Sequence, residues 1–213
     1  MRVFVCSDIH MATDNLDQLL EKAGYPLDGV LFVGDLTNWG SAADAKSVLS
    51  RFKIKPVFAI PGNLDTHAVV DVLEGSTEYV HGRSAKLGDW MVVGFGGGSL
   101  NNPGEVLFSE EAITEGLEPL LKKTNAQKTI LLTHQPPANT KLDRVGGHHP
   151  VGSQAVRQMS EKYQPAFQFC GHIHESWGED KIGKTRCYNV AAVKEGRAGV
   201  LDLKKLMVTG VSC

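Results

Sequence analysis

Cysteine is scarce in this sequence, and the few cysteines are widely separated. Only four of the 213 residues are cysteines, and no two of them form a CxxC pair: Cys6, Cys170, Cys187 and Cys213. Cys6 and Cys170 lie in apolar stretches that resemble strands, so we expect them to be buried. This usage is typical of reduced thiols and predicts a cytoplasmic protein.

The chain also lacks an excess of charge and any long apolar run. Its 22 basic and 24 acidic residues give a net charge of −2, so the basic surface that duplex nucleic acid requires is not expected. No apolar run approaches the roughly 20 residues of a membrane span. The N-terminus reaches Asp8 after one short strand, which does not resemble a signal peptide. We therefore expect no membrane and a single domain over residues 1–213, with the oligomeric state left open.

The clearest element is the apolar stretch Val30–Val33, which ends in Gly34 and Asp35. Four consecutive apolar residues of this type predict a strand that is buried on both faces. A carboxylate at the end of such a strand costs several kcal/mol unless it is paired or binds a metal. A turn or helix-cap aspartate is the simpler interpretation of one Gly-Asp pair. The same arrangement recurs along the chain, however, and this favours a metal ligand.

The first third of the chain alternates strands and helices. Apolar residues at helical spacing predict one helix that ends at Gly24 and another that begins at Ser41, where Asp44 completes a capping-box pattern. Asp65 is expected to cap a third helix, Thr66–Leu73. Two further apolar runs predict strands: Arg2–Cys6 and Pro56–Ile60. This β-α-β-α-β order predicts parallel strands with right-handed connections.

The rest of the chain predicts a mixture of strand directions. Tyr79–Leu87 and Trp90–Phe95 are expected to form an antiparallel pair. Later segments predict two helices, two buried strands and three short C-terminal strands: Ser109 to about Lys123, Ser153–Tyr163, Lys128–Thr133, Ala166–Cys170, and Lys184–Val211. Gln135–Gly152 shows no regular pattern, and irregular loops of this length are usually functional or disordered.

Seven nitrogen and oxygen donors follow the predicted strands: Asp8, His10, Asp35, Asn63, His134, His172 and His174. Ligands of open α/β sheets bind beyond the carboxyl ends of the strands, where these residues should converge. In each pair spaced i, i+2, an extended backbone would turn both side chains to one side. Seven donors exceed one tetrahedral zinc site and suit two metals about 3.5–4 Å apart. Imidazole and carboxylate without thiolate favour Mn, Fe, Zn, Co or Ni over Ca or Cu(I).

Each of these short motifs alone is more often structural than functional. A Gly-Asp, a Gly-Asn or a single histidine is common in turns and cores. Gly171-His172-Ile173-His174 after an apolar strand is a stronger signal. The occurrence of all five motifs at strand ends, in one chain, favours a dinuclear metal centre.

The chain resembles the calcineurin-like metallophosphoesterases from Val3 to about Val190, in five motifs: Asp8-x-His10, Gly34-Asp35, Gly62-Asn63, His134 and Gly171-His172-x-His174. Within that superfamily it is most similar to the Icc-related phosphoesterases, in three further segments: Gly97-Gly98-Ser99, Thr133–Pro137 and Thr140–Asp143. The resemblance implies an α/β fold, namely a four-layer αββα sandwich of two mixed β-sheets flanked by helices.

The resemblance also implies a role for each donor. Asp35 would bridge two divalent or trivalent transition-metal ions, with Mn favoured and Fe, Zn, Ni or Co as alternatives. The remaining ligands would divide into two sets: Asp8, His10 and His174 for one metal, and Asn63, His134 and His172 for the other.

The sequence departs from the family pattern at two places. Many members read Gly-Asn-His-Asp/Glu, and their histidine helps the leaving group or the transferring phosphoryl group, whereas this chain has Leu64 there. Phosphoprotein phosphatases read Gly-Asp-x-x-Asp-Arg-Gly, whereas Asn38 and Trp39 occupy the Asp-Arg positions here. A protein phosphatase is therefore not favoured.

These features predict a metal-dependent hydrolase of small phosphodiesters, such as cyclic nucleotides or nucleotide-like esters. Two cations can lower the pKa of a bridging water from about 15.7 to about 7, which gives a hydroxide that attacks phosphorus. Asp35 and Asn63 are accordingly expected to act at the reaction centre as well as to bind metal. A phosphomonoesterase of the same fold is the alternative, and a non-catalytic scaffold is less favoured because all seven ligand positions are intact.

Three other histidines are candidates to replace the missing acid. His67 follows Leu64 by one helical turn and could share a helix face with it. His148 and His149 lie in the long loop after His134 and could fold over the metals as a lid that contacts the substrate. The alternative for each is a solvated surface histidine.

Overall fold

The computed structural model describes residues 1–213. It contains five α-helices: α1 (Thr13–Ala23), α2 (Ala42–Leu49), α3 (His67–Ser76), α4 (Glu110–Leu121) and α5 (Gln154–Tyr163). Its strands are β1 (Arg2–Cys6), β2 (Val30–Val33), β3 (Val57–Ile60), β4 (Glu78–Tyr79), β5 (Arg83–Leu87), β6 (Trp90–Phe95), β7 (Gly98–Ser99), β8 (Leu107–Phe108), β9 (Thr129–Thr133), β10 (Arg144–Val145), β11 (His149–Pro150), β12 (Phe167–Cys170), β13 (Gly178–Ile182), β14 (Thr185–Asn189), β15 (Arg197–Asp202) and β16 (Met207–Ser212).

The strands form two large mixed sheets, as the family resemblance implies. The first has the order β16-β15-β1-β2-β3-β4, in which β1 to β4 are parallel. The second has the order β13-β14-β12-β9-β6-β5, in which β14, β12, β9 and β6 are parallel. Antiparallel strands complete each sheet: β15 and β16 on one side of the first sheet, and β13 and β5 at the two edges of the second.

Apolar side chains join these sheets into four layers. The core between the two sheets includes Phe58 and Ile60 from the first and Phe167 and Phe169 from the second. A second core packs α1, α2 and α3 on the outer face of the first sheet. A third packs α4 and α5 on the second sheet. Burial of each large apolar side chain stabilises this sandwich by about 1.5–3 kcal/mol.

Local sequence signals set the helix starts. The Ser41 hydroxyl accepts the Asp44 backbone N–H, and the Asp44 carboxylate accepts the Ser41 N–H, which is the predicted capping box. The predicted helix α3 is present, but its predicted cap is wrong: Thr66 rather than Asp65 is the cap, and its hydroxyl accepts the Val69 N–H. Asp65 is fully buried and has other partners, which are described with the site.

The region around Tyr79 differs from the prediction. Tyr79 pairs with Ala59 and belongs to the first sheet, so only β5 forms the antiparallel pair with β6. The chain passes from one sheet to the other at Gly82, which has a positive φ of 62°. Alternating polarity does not distinguish one long strand from two short strands in different sheets, and this explains the error.

A hairpin and an edge strand are among the elements that were not predicted. The segment Gln135–Gly152 is not structureless, because β10 and β11 form a small antiparallel hairpin within it. The edge strand β13 carries the charged residues Glu179, Asp180 and Lys181, and it pairs with β14. A search for apolar runs misses β13 because the strand is mostly charged. An edge strand can be charged, since it needs little apolar burial.

None of the five helices combines the length and the apolar character that a membrane crossing requires. All four cysteines are free thiols, and only Cys213 is exposed. Burial raises the pKa of the Cys187 thiol to about 12 and raises that of Cys6 further. These thiols are therefore neutral, and a neutral thiol is a poor nucleophile and metal ligand.

Candidate metal centre

The predicted donors meet where the parallel strands of both sheets end. Asp8, Asp35 and Asn63 lie within three residues of the ends of β1, β2 and β3. His134 follows β9 directly, and His172 lies two residues beyond β12. Because the two sheets are packed face to face, one short loop after each of these strands supplies one or two donors to a single cluster.

The backbone at these strand ends is not extended, contrary to the prediction. Asp8, His10, Asp35 and His172 have positive φ angles of 54°, 47°, 56° and 67°. Non-glycine residues rarely adopt this left-handed region, which costs of order 1 kcal/mol and is concentrated at functional sites. The side chains therefore converge because the chain turns sharply after each strand, rather than because alternate residues share one face.

Asp8, His10 and His174 form the first group of donors, with one ligand atom of each within 4.8 Å of the others. Nε2 of His174 lies 3.2 Å from Oδ1 of Asp8. Nε2 of His10 lies 3.7 Å from the same oxygen. The His172 backbone N–H donates to the other oxygen, Oδ2, at 3.0 Å, and it thereby fixes the orientation of the carboxylate.

Asp8, Asp35 and His134 form the second group within the same 4.8 Å limit. Nε2 of His134 lies 3.5 Å from Oδ2 of Asp35 and 3.1 Å from Oδ1 of Asn63. The Oδ2 atom of Asp35 is also 3.9 Å from Nε2 of His10. Asp35 is therefore within reach of a histidine from each group. The His172 ring lies beside this group, with its centroid 5.1 Å from that of His134.

Hydrogen bonds fix the orientation of three histidine rings. Nδ1 of His134 lies 2.8 Å from the Val33 carbonyl, and Nδ1 of His10 lies 3.2 Å from the Thr37 carbonyl. Nδ1 of His174 lies 3.1 Å from Oε1 of Glu195. A carbonyl or carboxylate oxygen only accepts, so the proton belongs on Nδ1 in each neutral ring.

The orientation of these rings indicates whether the donors suit metal ions. With the protons on Nδ1, the three Nε2 atoms carry lone pairs that face carboxylate and amide oxygens. Acceptors that face each other repel unless a cation or a proton lies between them. A carboxylate or carbonyl behind the distal nitrogen is also the usual environment of a metal-bound histidine. The residues therefore fit metal ions.

The Asn63 side-chain amide is also held so that its oxygen faces the donor cluster. Its Nδ2 donates to the Pro103 carbonyl at 2.7 Å, so its Oδ1 faces His134. Gly62, the residue before it, approaches Asp35 so closely that an added Cβ would lie 2.0 Å from Oδ1. Glycine is therefore required at that position, which explains the Gly-Asn motif.

The electrostatics of the cluster favour cations. Burial raises the pKa of Asp8, but the hydrogen bond from His174 and the charges of the nearby histidines reverse this and hold it well below its usual range. Burial lowers the pKa of His134, but Asp35 and Asp8 outweigh this and raise it to about 9. Burial, with His134 beside it, lowers the pKa of His172 to about 4, so His172 stays neutral. Buried carboxylates thus create a field that stabilises positive charge.

Two residues that support the donors were not identified from the sequence. Asp65 accepts the backbone N–H groups of Leu36, Thr37 and Gly62, and so joins the loops after β2 and β3. Burial and the nearby Asp35 raise its pKa to about 7. The available signal was the acid in the family pattern Gly-Asn-His-Asp/Glu, which Asp65 matches. Glu195, the partner of His174, has no comparable local signal.

His67 has a partner but does not share a helix face with Leu64. Helix α3 begins at His67, so Leu64 lies outside it, and the predicted geometry is wrong. Nδ1 of His67 lies 2.9 Å from Oε2 of Glu105, which also accepts the His67 backbone N–H at 3.0 Å. The Glu105 backbone N–H donates to the Asn63 carbonyl at 3.0 Å. A short chain of contacts therefore connects His67 with a predicted metal ligand.

His148 and His149 are exposed on the β10–β11 hairpin, and the hydrogen bonds of the donor cluster include neither imidazole. The base of the hairpin is fixed next to the cluster, because Arg144 exchanges two hydrogen bonds with Ser176. Ser176 ends the short helical turn that begins at His174. The hairpin is therefore anchored near the donors, while the substrate contact of its two histidines stays a prediction.

Comparison with known proteins agrees with this geometry. The family model for calcineurin-like phosphoesterases matches residues 1–176. A protein from Methanocaldococcus jannaschii, the uncharacterized protein MJ1162, is 33% identical over 189 residues, which cover 85% of this chain and 84% of that protein. The chain therefore belongs to the calcineurin-like phosphoesterase family. The family and the Asp/His groups together make it a metal-dependent phosphoesterase.

Solved structures with low sequence identity share the fold. TT1561 of Thermus thermophilus aligns with a TM-score of 0.76 at 17% identity, over 99% of this chain and 98% of that one. The phosphopantetheinyl hydrolase PptH of Mycobacterium tuberculosis aligns with a TM-score of 0.65 at 12% identity, over 89% and 88% of the two chains. At this identity the likeness establishes the four-layer architecture alone.

Proposed function

We propose that this protein hydrolyses small phosphodiesters with the help of two transition-metal ions. The observation that carries the proposal is the convergence of three histidine Nε2 atoms on the carboxylates of Asp8 and Asp35. Each ring is held by its distal nitrogen, so its Nε2 atom already faces the carboxylates before any ion binds. Such preorganisation is what a hydrolytic metal centre requires.

The ligands divide into two sets around Asp35, which both ions would share. Asp8, His10 and His174 would hold one ion, and Asn63, His134 and His172 the other. When bound, the two ions supply an activated water nucleophile at neutral pH and offset the charge of the phosphate. Nitrogen and oxygen donors suit Mn, which we favour, and also Fe, Zn, Ni or Co.

The residue beside the shared carboxylate favours diesters over monoesters. Leu64 donates its backbone N–H to Oδ1 of Asp35 at 2.9 Å, and its side chain cannot donate a proton. A monoester with an alkoxide leaving group gains most from a positioned acid. A diester with a good leaving group needs less help. Within the small diesters, we propose cyclic nucleotides and other nucleotide-like esters as the substrates to test.

A phosphomonoesterase is the second candidate, and the His67–Glu105 pair favours it. A carboxylate that holds an imidazole, as Glu105 holds His67, is a common arrangement for a proton donor. The His67 side chain is 79% exposed, so it is open to a bound substrate. If His67 reaches the leaving group, it would replace the family histidine that Leu64 lacks.

The proposal extends to the setting in which the enzyme works. Buried neutral thiols are compatible with a reducing compartment, so we propose that the protein acts in the cytoplasm. Its near-neutral net charge of −2 favours a small phosphoester as partner, rather than duplex nucleic acid or a membrane surface.

A paired hydrolysis screen tests the proposal. Chelated protein is loaded in turn with Mn, Ni, Co, Zn or Mg and assayed on 4-nitrophenyl phosphate, on bis(4-nitrophenyl) phosphate and on cyclic nucleotides. We expect metal-dependent turnover with a higher kcat/KM for the diester. A higher kcat/KM for the monoester would favour the second candidate. Failure to bind metal would support a non-catalytic scaffold.

A further inference from the structure

Three apolar residues contact the backbone around the shared carboxylate. The Met11 N–H donates to the Leu36 carbonyl at 3.4 Å, and the Trp39 N–H donates to the Leu64 carbonyl at 3.1 Å. Leu64 in turn donates its N–H to Asp35. Met11, Trp39 and Leu64 thus lie on the loops that carry the donors. Backbone hydrogen bonds link Met11 to the loop of Asp35, Trp39 to Leu64, and Leu64 to Asp35 itself. We call these three residues the apolar rim.

Two residues of the rim are open to solvent, although they are large and apolar. Trp39 is 50% exposed and Met11 is 37% exposed. Scattered exposed apolar residues need no explanation, but an exposed tryptophan on the loop that also carries Asp35 is informative. None of the three side chains carries a charge, so the rim is suited to the organic part of a ligand rather than to its phosphate.

The backbone at two rim residues is also unusual. Trp39 and Met11 have positive φ angles of 58° and 68°. Bulky side chains rarely occupy this region, and glycine or asparagine would fit it with less strain. The hydrogen bond to Leu64 holds Trp39 in this conformation. A strained backbone that presents a large exposed ring is characteristic of a binding site.

We propose that Trp39 binds a flat aromatic group of the substrate, such as a nucleobase, by stacking. Met11 and Leu64 would contact the same group from the side. A flat ring is favoured over an alkyl chain because one exposed indole offers a stacking face and not a groove. The inference rests on the proposed function, since the donor cluster must hold the phosphate while the rim holds the organic group. It assigns the substrates to aryl or nucleoside phosphoesters.

A comparison of two phosphates tests the inference through binding rather than through the rate of hydrolysis. AMP and ribose 5-phosphate carry the same phosphate and sugar, and only AMP carries a base. Their affinities for the Mn-loaded protein are measured by titration calorimetry. We expect AMP to bind about tenfold more tightly, as stacking on one aromatic side chain provides. Pentyl phosphate should bind no more tightly than ribose 5-phosphate.

Variants of Trp39 separate stacking from folding. Trp39→Asn keeps a residue that tolerates positive φ and removes the ring, so AMP and ribose 5-phosphate should then bind equally. Trp39→Phe should restore most of the difference, because phenylalanine keeps a flat ring. Trp177→Asn is the matched control, since Trp177 is 43% exposed and packs against Gly210. AMP should quench the tryptophan fluorescence of this control but not that of Trp39→Asn.

The outcomes distinguish failure of the inference from failure of the proposed function. Equal binding of AMP and ribose 5-phosphate to the wild type would overturn the role of Trp39. So would a preference for AMP that survives in Trp39→Asn, or tighter binding of pentyl phosphate. If the Mn-loaded protein neither binds these two phosphates nor hydrolyses bis(4-nitrophenyl) phosphate, the proposed function fails, and this inference fails with it.

Discussion

Leu64 donates its backbone N–H to Oδ1 of Asp35 at 2.9 Å, which places an apolar residue beside the carboxylate that two metals would share. In the family pattern a histidine occupies this position. The proposed preference for diesters rests on this one contact, because the residue that holds Asp35 offers no proton to a leaving group.

Restoring the histidine should change the specificity. We expect Leu64→His to raise kcat for alkyl monoesters by about tenfold or more, because a positioned acid helps an alkoxide leaving group most, and to change the turnover of nitrophenyl esters much less. Leu64→Met is the control for altered packing and should leave both unchanged. An equal change in monoester and diester turnover in Leu64→His would contradict the role assigned to this position.

Alanine variants should show which histidine assists the reaction. We expect His148→Ala and His149→Ala to lower kcat/KM for a diester at saturating metal, because the hairpin is anchored beside His174 through Ser176. If both variants keep wild-type kcat/KM, the lid assignment fails. If only His67→Ala is impaired, and Glu105→Gln reproduces the defect, His67 is the proton donor instead.

The sequence predicts the position of the donors better than the way in which they converge. Apolar runs that end in polar residues locate the strand ends, and parallel strands bring Asp8 and Asp35 together. The positive φ angles of these residues could not be predicted, because they depend on tertiary contacts such as the approach of Gly62 to Asp35. Asp65 was misassigned because local propensity favours aspartate as a helix cap, whereas burial and distant N–H groups decide its role.

Glu195 illustrates a limit of reasoning from the sequence. It lies far along the chain from β1, and only the fold brings it to His174, where its Oε1 is 3.1 Å from Nδ1. Arg197 contacts both Glu195 and the His174 carbonyl. Spacing along the chain cannot reveal such a partner.

Removing the Glu195 carboxylate should weaken metal binding. We expect Glu195→Gln to lower the affinity for Mn by about tenfold, because the carboxylate orients His174 and increases its basicity. Calorimetric titration of chelated protein measures this. Glu161→Gln removes a comparable exposed carboxylate, paired with Arg157 on α5, and should have no effect. Unchanged affinity in Glu195→Gln would show that the contact does not support the metal site.

His81 should make stability depend on pH independently of the metal ligands. Its Nδ1 accepts the Gly96 N–H at 2.9 Å, and its ring packs against Phe95 and Phe108. Burial, with the charge of Arg83, lowers its pKa to about 4. In the unfolded chain the pKa of the His81 imidazole is about 6.5, so the unfolded state binds the proton first as pH falls. The contribution of His81 is complete above pH 6.5 and decreases as pH falls toward 4.

Denaturant unfolding of wild type and His81→Gln checks this. Between about pH 7.5 and pH 5.0, the wild type should lose about 2 kcal/mol more stability than the variant, whose amide is neutral throughout. The comparison cancels the titration of the other histidines. Equal losses in the two proteins would show that His81 is not held in its neutral form.

The most direct test of the dinuclear centre is the rate of bis(4-nitrophenyl) phosphate hydrolysis by chelated protein as Mn²⁺ is added. We predict no activity without metal and a rate that saturates near two ions per chain. Asp35→Asn should bind one ion less well and lose at least about 100-fold in rate, because the shared negative charge is removed. Hydrolysis that persists in thoroughly chelated wild-type protein would contradict the account.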